Sequence, residues 1–351
     1  MYDLLVYIGR FQLPHLGHEF VIQEAKKNAK RVLVLIGSAA RPRSFRNPFN
    51  YGERRQMLQA SLTPNDRDTV LFRPLPDTPY NDVKWVQNVQ SVVSSVANDY
   101  GATKIGLIGH NKDNTSYYLK LFPQWGSVAV PNFRGLSSTQ MRKAYFSNAS
   151  IAWLNDCDGH LEGDNERDSL VSSGVRDFLL DFAKTPAYDY ILGEYEHVLE
   201  YKTSWACAPY APTFVTVDAV VHQSGHVLVV ERGARPGKGL LALPGGFLNQ
   251  NEKILDAMLR ELREETLLKV PTPVLRGSVK ESEVFDDPNR SSRGRTITHA
   301  FLIDLEPNKV LPKVKGADDA AKAFWMPLAD VRTEDFFEDH ADIIQTMIDR
   351  L

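Results

Sequence analysis

Leu4-Leu5-Val6-Tyr7-Ile8-Gly9-Arg10-Phe11-Gln12-Leu13-Pro14-His15-Leu16-Gly17-His18 stands near the start of the chain, and its first five residues form an apolar run that stops at a glycine. A short continuous apolar run reads as a buried strand, and the loop and helix after it make the first strand–loop–helix unit of a parallel sheet. The unit repeats. Residues 32–36 (ending in Gly37), 69–72, 105–108 and 128–130 are further strand patterns. Between Asp82 and Tyr100, Trp85, Val89, Val92, Val93 and Val96 recur at helical spacing. Apolar strands alternating with amphipathic helices predict an α/β domain whose parallel sheet is covered on both faces, with ligands bound beyond the carboxyl ends of the strands.

The whole chain has 351 residues, enough for two domains. Lys and Arg number 41 against 44 Asp and Glu, so the net charge is −3, which argues against a protein built to coat nucleic acid or an anionic membrane. With 43% hydrophobic and 24% charged residues the composition is that of a globular protein. Two cysteines, Cys157 and Cys207, give neither a disulfide framework nor a Cys-rich zinc site. No apolar run is long enough to span a bilayer, and the first nine residues read as a strand rather than a signal peptide. A cytoplasmic protein is expected, with a homo-oligomer left open.

Residues 148–169 break the rhythm and read as a polar, acidic loop, with a helix expected over 175–183 and an aromatic-rich connection near 188–205. From Thr213 the pattern changes. Residues 213–221 and 226–231 flank Gln223-Ser224-Gly225 and predict a hairpin. A Gly-rich loop, a charged helix, two further strand patterns and a final helix near 335–350 complete a mixed α+β domain.

Two motifs in the first half carry chemistry. Gly9 can let a ligand approach the backbone. His15 and His18 sit at a helix start, where free N–H groups and the helix dipole favour phosphate; the bland alternative is a pair of capping histidines. Ser138 or Thr139 can cap the helix that begins near residue 138, and Arg142 on it can reach phosphates, or be a surface arginine. In the second half, Gly246, Glu252 and the run Arg260-Glu261-Leu262-Arg263-Glu264-Glu265 keep fixed spacings. Residues three and four apart share a helix face, so Glu261, Glu264 and Glu265 can converge. Clustered carboxylates repel unless a cation sits among them, and hard oxygens suit Mg²⁺ or Mn²⁺. Arg260 can pair with Glu252. The alternative is a solvated acidic face.

His15-Leu16-Gly17-His18 resembles the H-x-G-H motif of the nucleotidylyltransferase superfamily, and Ser137 to Arg142 resembles its second phosphate motif. Gly9-Arg10-Phe11-Gln12 narrows the resemblance to nicotinamide mononucleotide adenylyltransferases, with one departure: the proline is displaced by one position at Pro14. That resemblance implies phosphate roles for His15, His18 and Arg142, and substrate contacts from Gly9, Arg10, Phe11, Ser138 and Thr139. It also implies a nicotinamide pocket in which Trp85 stacks on the pyridine ring and Asn81 bonds the carboxamide, and an adenosine- and phosphate-side loop at Gly109 and Lys112. Asn47-Pro48-Phe49 and Arg54 resemble the stretch after the second strand; Arg54 is either part of it or a helix-surface charge.

The second set resembles the Nudix box, G-x5-E-x7-R-E-U-x-E-E-x-G-U, with Leu267 in place of a glycine. Residues 285–288 and 293–298 resemble ADP-ribose pyrophosphatases, in which Arg293 or Arg295 contacts substrate phosphate. Glu281 and Glu283 are candidates for a water-activating base. In order, the two halves resemble the bifunctional nicotinamide mononucleotide adenylyltransferase/Nudix family. That implies a Rossmann-like nucleotidylyltransferase domain over 1–187, a connection over 188–208 and an α+β Nudix domain over 209–351. The implied ligands are ATP, nicotinamide mononucleotide, NAD and ADP-ribose, with Mg²⁺ as cofactor. Two rivals remain: a Nudix domain that senses ADP-ribose without cleaving it, and a first domain that adenylylates another acceptor.

Overall fold

A computed structural model describes residues 1–109, 121–147 and 170–351. The polar loop expected over 148–169, and Lys112 with its neighbours, lie outside the described residues. The chain divides into two compact units, Met1–Leu192 and Gly193–Leu351.

In the first unit, β1 (Tyr2–Gly9), β2 (Ala29–Ile36), β3 (Val70–Pro74), β4 (Ile105–Gly109) and β5 (Gly126–Ala129) form one sheet in the order β3-β2-β1-β4-β5. Every pairing is parallel, as the alternating pattern requires. Alternate residues of each strand serve different cores, since successive side chains point to opposite faces. Leu5, Tyr7, Val32, Val34 and Ile36 pack with Val21, Ile22 and Ala25 of α1 (Leu16–Asn28). Leu4, Val6, Ile8, Leu33 and Leu35 pack with Val89, Val93 and Val96 of α3 (Asp82–Tyr100). Helix α2 (Tyr51–Ala60) follows β2, α4 (Ser138–Tyr145) follows β5, and α5 (Ser173–Phe182) comes later. Strand order reverses between β1 and β4, so the crevice beyond Gly9 and Gly109 is the topological switch point where such sheets bind ligands.

Residues 188–208, expected as a connection, are largely helical: α6 runs from Pro186 to Ser204, and the division between units falls inside it. The aromatics explain the helix. Tyr188 stacks on Phe146 and donates its hydroxyl to the carbonyl of Tyr145 at 3.0 Å, while Tyr145 donates to that of Leu179 at 2.6 Å. Tyr188 and Ile191, three apart, are both buried.

The second unit has a seven-stranded mixed sheet. Its path is β10 (Val279–Phe285), β11 (Arg295–Asp304), β6 (Thr213–Gln223), β7 (His226–Arg232) and β12 (Ala320–Pro327). Short β8 (Leu241–Ala242) pairs with β7, and β9 (Gly245–Phe247) with β6. The expected hairpin forms with a tighter turn, in which only Ser224 and Gly225 separate the strands, both at positive φ. Where two late strands were expected there are three. Helix α7 (Ile254–Thr266) lays Ala257, Met258, Leu259 and Leu262 onto the sheet core and turns Arg260 and Glu264 outward. Helix α8 (Thr272–Gly277) follows it. The final helix, α9, is shorter than the sequence suggests (His340–Ile348), because residues 333–335 form a separate 3-10 turn.

Candidate functional sites

The cleft at the switch point has a volume of about 280 Å³. Its lining includes Gly9, Arg10, Phe11, Gln12, His15, His18, Gly109, Ser138, Thr139 and Arg142. The sheet thus brings together residues more than 120 positions apart in sequence.

The two histidines cap α1 reciprocally. Nδ1 of His15 accepts the N–H of Gly17 at 3.1 Å, and Nδ1 of His18 accepts that of His15 at 3.2 Å. Their rings stack 3.8 Å apart. Capping and phosphate binding are therefore compatible here. With Nδ1 used as an acceptor, the neutral rings carry their hydrogen on Nε2, a donor suited to phosphate oxygen.

Gly9 and Phe11 act as a pair. A Cβ at position 9 would lie 2.8 Å from the Phe11 ring, so the glycine is required by that ring. Phe11 is buried at positive φ, edge-on to Tyr7 and His18, and serves chiefly as a prop under the loop. Gln12 was not anticipated. Its amide bonds both backbone groups of Phe49, at 2.8 and 3.1 Å, and so fastens the loop after β1 to the start of α2. Arg54 is no surface charge. It is fully buried and donates to the carbonyls of Arg10 (2.6 Å), Gly37 (2.6 Å), Ser38 (3.1 Å) and Asn50 (3.2 Å). Desolvation lowers its pKa to about 10.

Ser138 and Thr139 do not cap α4 as expected. Ser137 holds that position without a side-chain bond, because Ser138 is turned to the carbonyl of Leu13 (2.9 Å) and Thr139 accepts from Arg142 (3.3 Å). Arg142 is buried, bonded to the carbonyl of Gln12, and its Nε has no hydrogen-bond partner. Among the described residues it has no ion-pair partner. Burial, then repulsion from Arg10 and Arg46, lowers its pKa to about 10. A buried guanidinium facing two like charges can receive an anion. Arg46 escaped the sequence reading; the basic run Arg41, Arg43, Arg46 after β2 was its only trace. Asn81 and Trp85 lie outside the cleft lining. Asn81 caps α3 through the N–H of Lys84 (2.8 Å), and Trp85 is half-buried against the α3 core near Phe122.

In the second unit, Arg260 organises the carboxylates. It meets Glu252 through two bonds of 2.9 and 2.7 Å, as its spacing suggested, and Glu261 and Glu264 at 2.8 Å each. Those bonds hold the Glu252 carboxyl down at about 2. A Cβ at Gly246 would stand 2.5 Å from the Glu261 carboxylate, so the glycine of the box exists to admit that carboxylate. Glu265 is buried, accepts the N–H of Gly245 at 3.0 Å, and is pushed up to about 8, first by desolvation and then by Glu261 and Asp218. Among the described residues no group of three acidic, His or Cys side chains is close enough to hold a metal. Glu261 and Glu264 turn to Arg260, while Glu265 turns to the backbone. The donor set still fits a hard divalent cation: two partly desolvated carboxylates, both with raised pKa, carry a cost that such an ion relieves.

Leu267 takes the left-handed conformation of the glycine it replaces (φ 46°), so the helix ends where the box requires. Arg295 is engaged by Asp286, through the carbonyl and the carboxylate. Arg293 instead lies over the Phe247 ring at 5.1 Å and has no ion-pair partner among the described residues. Arg350 occupies both Glu281 and Glu283, the candidate bases.

A cationic cleft at a parallel-sheet switch point and a carboxylate helix on a mixed sheet define a protein of two nucleotide-phosphate modules. The cytidylyltransferase-like family model matches residues 6–143, and the NUDIX domain model residues 212–347. The chain is 40% identical over 151 residues to a nicotinamide/nicotinic acid mononucleotide adenylyltransferase of Acinetobacter baylyi, spanning 43% of this chain and 79% of that one. It is 33% identical over 131 residues to an ADP-ribose pyrophosphatase of Methanocaldococcus jannaschii, spanning 37% and 70%. A crystal structure of a bifunctional NMN adenylyltransferase/ADP ribose pyrophosphatase from Francisella tularensis, complexed with AMP and a manganese ion, matches with a TM-score of 0.88 at 35% identity over 100% of this chain and 99% of that one. The chain belongs to this bifunctional adenylyltransferase/Nudix family. No helix among the described residues is long and apolar enough to cross a membrane.

Proposed function

We propose that the chain makes NAD from nicotinamide mononucleotide and ATP, and hydrolyses ADP-ribose to AMP and ribose 5-phosphate. The reading is carried by the presence of both sites on one chain that matches the Francisella tularensis protein from end to end. Transfer is assigned to residues 1–187 and hydrolysis to residues 209–351.

In the transfer reaction, a phosphate oxygen of nicotinamide mononucleotide attacks the α-phosphorus of ATP. The new P–O bond forms as the bond to the β-phosphate breaks, and pyrophosphate leaves. The attacking phosphate is already ionised, so no general base is required. Nε2–H of His15 and His18 and the guanidinium of Arg142 stabilise the charge that develops, and the backbone at Gly9 and Gly109 bounds the cleft. Ser138 and Thr139 hold Leu13 and Arg142 in place. Asn81 and Trp85 begin α3 at the same edge of the sheet and remain the candidates for the nicotinamide side.

For hydrolysis, Glu261, Glu264 and Glu265 would hold divalent metal, Mg²⁺ being the proposed physiological ion. Such an ion supplies an activated water and neutralises diphosphate charge. Arg260 positions Glu261 and Glu264, and Arg293 contacts phosphate. The test is incubation with nicotinamide mononucleotide, ATP and Mg²⁺, and separately with ADP-ribose and Mg²⁺, with products resolved by chromatography. NAD in the first and AMP in the second are expected. An equal rate with unrelated phosphate acceptors would overturn the transfer assignment, and ADP-ribose binding without turnover would overturn hydrolysis.

A further inference from the structure

Two arginines of the second unit share one aromatic ring. Arg232, the last residue of β7, lies over Phe337 at 4.2 Å, and Arg293 lies over the same ring at 5.9 Å and over Phe247 at 5.1 Å. Neither has an ion-pair partner among the described residues. Arg232 donates Nε to the carbonyl of Pro236 (2.9 Å), and Arg293 reaches only the hydroxyl of Ser291 (3.4 Å). By contrast, Arg260, Arg290 and Arg295 each meet a carboxylate. The segment carrying Arg293 is clamped to the one carrying Phe337. Arg290 and Asp339 form a buried two-bond ion pair, both bonds 2.9 Å, and the N–H of Ser292 donates to Glu338 at 2.8 Å. Phe337 is therefore held under both guanidiniums. The pair also borders the carboxylate helix. Phe247 follows Gly246, which touches Glu261, and its carbonyl accepts from Arg260.

Two like charges are held side by side over rings, and although Glu338, Glu265 and Asp319 stand near Arg232, none bonds either guanidinium, so the N–H edges are left for an anion that spans both. We infer that Arg232 and Arg293 together form the receptor for the diphosphate of a nucleoside diphosphate-linked substrate, with Arg232 a substrate-binding residue and Phe337 the ring that positions it. The inference deepens the hydrolase reading above and rests on it for the substrate.

The test uses the full chain in Mg²⁺ with R232Q, R232K, R293Q and the remote control R276Q. Hydrolysis of ADP-ribose gives KM and kcat, and calorimetry gives the affinity for ADP-ribose in a Glu264→Gln background. R232Q and R293Q are each expected to raise KM and weaken binding by about 10–100-fold, consistent with lost charge-assisted bonds, with kcat changed much less. R232K should recover part of the loss, and R276Q should match the parent. The urea midpoint of each variant's hydrolytic activity, which should stay at the parental value, reports folding of the second unit. R232Q with parental KM and affinity would overturn the proposal while hydrolysis by the parent stands. A parent that binds ADP-ribose and loses that binding in R232Q, yet does not cleave it, would overturn the hydrolase reading and leave the receptor standing. A parent that does not bind ADP-ribose overturns both.

Discussion

Replacing Arg54 by methionine should unfasten the transferase cleft without substituting any residue of its lining. The side chain is fully buried and ties the carbonyls of Arg10, Gly37 and Ser38 to α2. Hydrogen bonds from a charged donor contribute about 1.5–3 kcal/mol each, so three are worth about 6 kcal/mol. Burial of the charge opposes this. The fall of its pKa from 12.5 to about 10 corresponds to about 3 kcal/mol, recovered when the guanidinium is removed. The expected net loss is about 3 kcal/mol. At a urea slope of about 2 kcal/mol/M, the midpoint at which adenylyl transfer disappears should fall by about 1.5 M. ADP-ribose hydrolysis in the same samples is the internal standard and should keep its midpoint. Arg55, the exposed neighbour, supplies the control, and R55M should shift the midpoint by less than about 0.3 M. If R54M and R55M give the same midpoint, the three carbonyl bonds do not hold the loops and the account of the cleft's scaffold is wrong.

Other perturbations separate the two sites and probe the second unit. Glu264→Gln should cut ADP-ribose hydrolysis by more than about 100-fold and spare transfer, whereas His18→Ala should cut transfer by about 10²–10³-fold and spare hydrolysis; loss of both activities in one folded variant contradicts independent sites. Leu267→Gly relieves a left-handed leucine, worth about 1–2 kcal/mol, against about 0.5–1 kcal/mol of added chain entropy. Its thermal midpoint should rise by about 1–3 °C, and a fall would show that the half-exposed side chain packs more than it strains. Burial lowers the pKa of His340 below its usual 6.5, and its Nδ1 accepts the N–H of Leu243 at 3.0 Å. The unfolded chain therefore binds the proton more readily, and stability is full above pH 6.5 and declines as pH falls below it. His340→Asn should flatten that decline in urea titrations between pH 7 and 5; an unchanged slope would assign the acid sensitivity elsewhere.

What was legible in the sequence follows its periodicities. The central strands of the first sheet, β2, β1 and β4, are largely buried and read as apolar runs, whereas β3 and β5 at its edges are partly exposed; the parallel pairing follows from the helices between the strands. The histidine and glutamate motifs are legible because each lies within one turn or one helix. The scaffold beneath them is not. Arg54 looks the same as Arg55 in sequence, and only the approach of loops from β1 and β2 distinguishes the buried one. Gln12 and Arg46 act across the same gap. Arg232 ends a strand without any local sign that Phe337, more than 100 residues later, lies under it. The division between the units does fall within the connection expected over 188–208, but its helical state is not legible in composition, since it is the packing of Tyr188 on Phe146 that draws it into α6. Resemblance offered Arg293 and Arg295 equally, and only the Asp286 pair separates them.

The reciprocal bonds between His15 and His18 make one atom answer for two properties. Each Nδ1 stops the first turn of α1 from fraying, and by accepting it fixes the hydrogen on the other ring nitrogen. An alanine at either position removes cap and donor together, so a loss of rate does not say which mattered. Asparagine has a carbonyl oxygen near the place of Nδ1 and no group that reaches Nε2. His15→Asn thus keeps the helix start while silencing the donor, and turns an ambiguous deletion into a separation of architecture from chemistry.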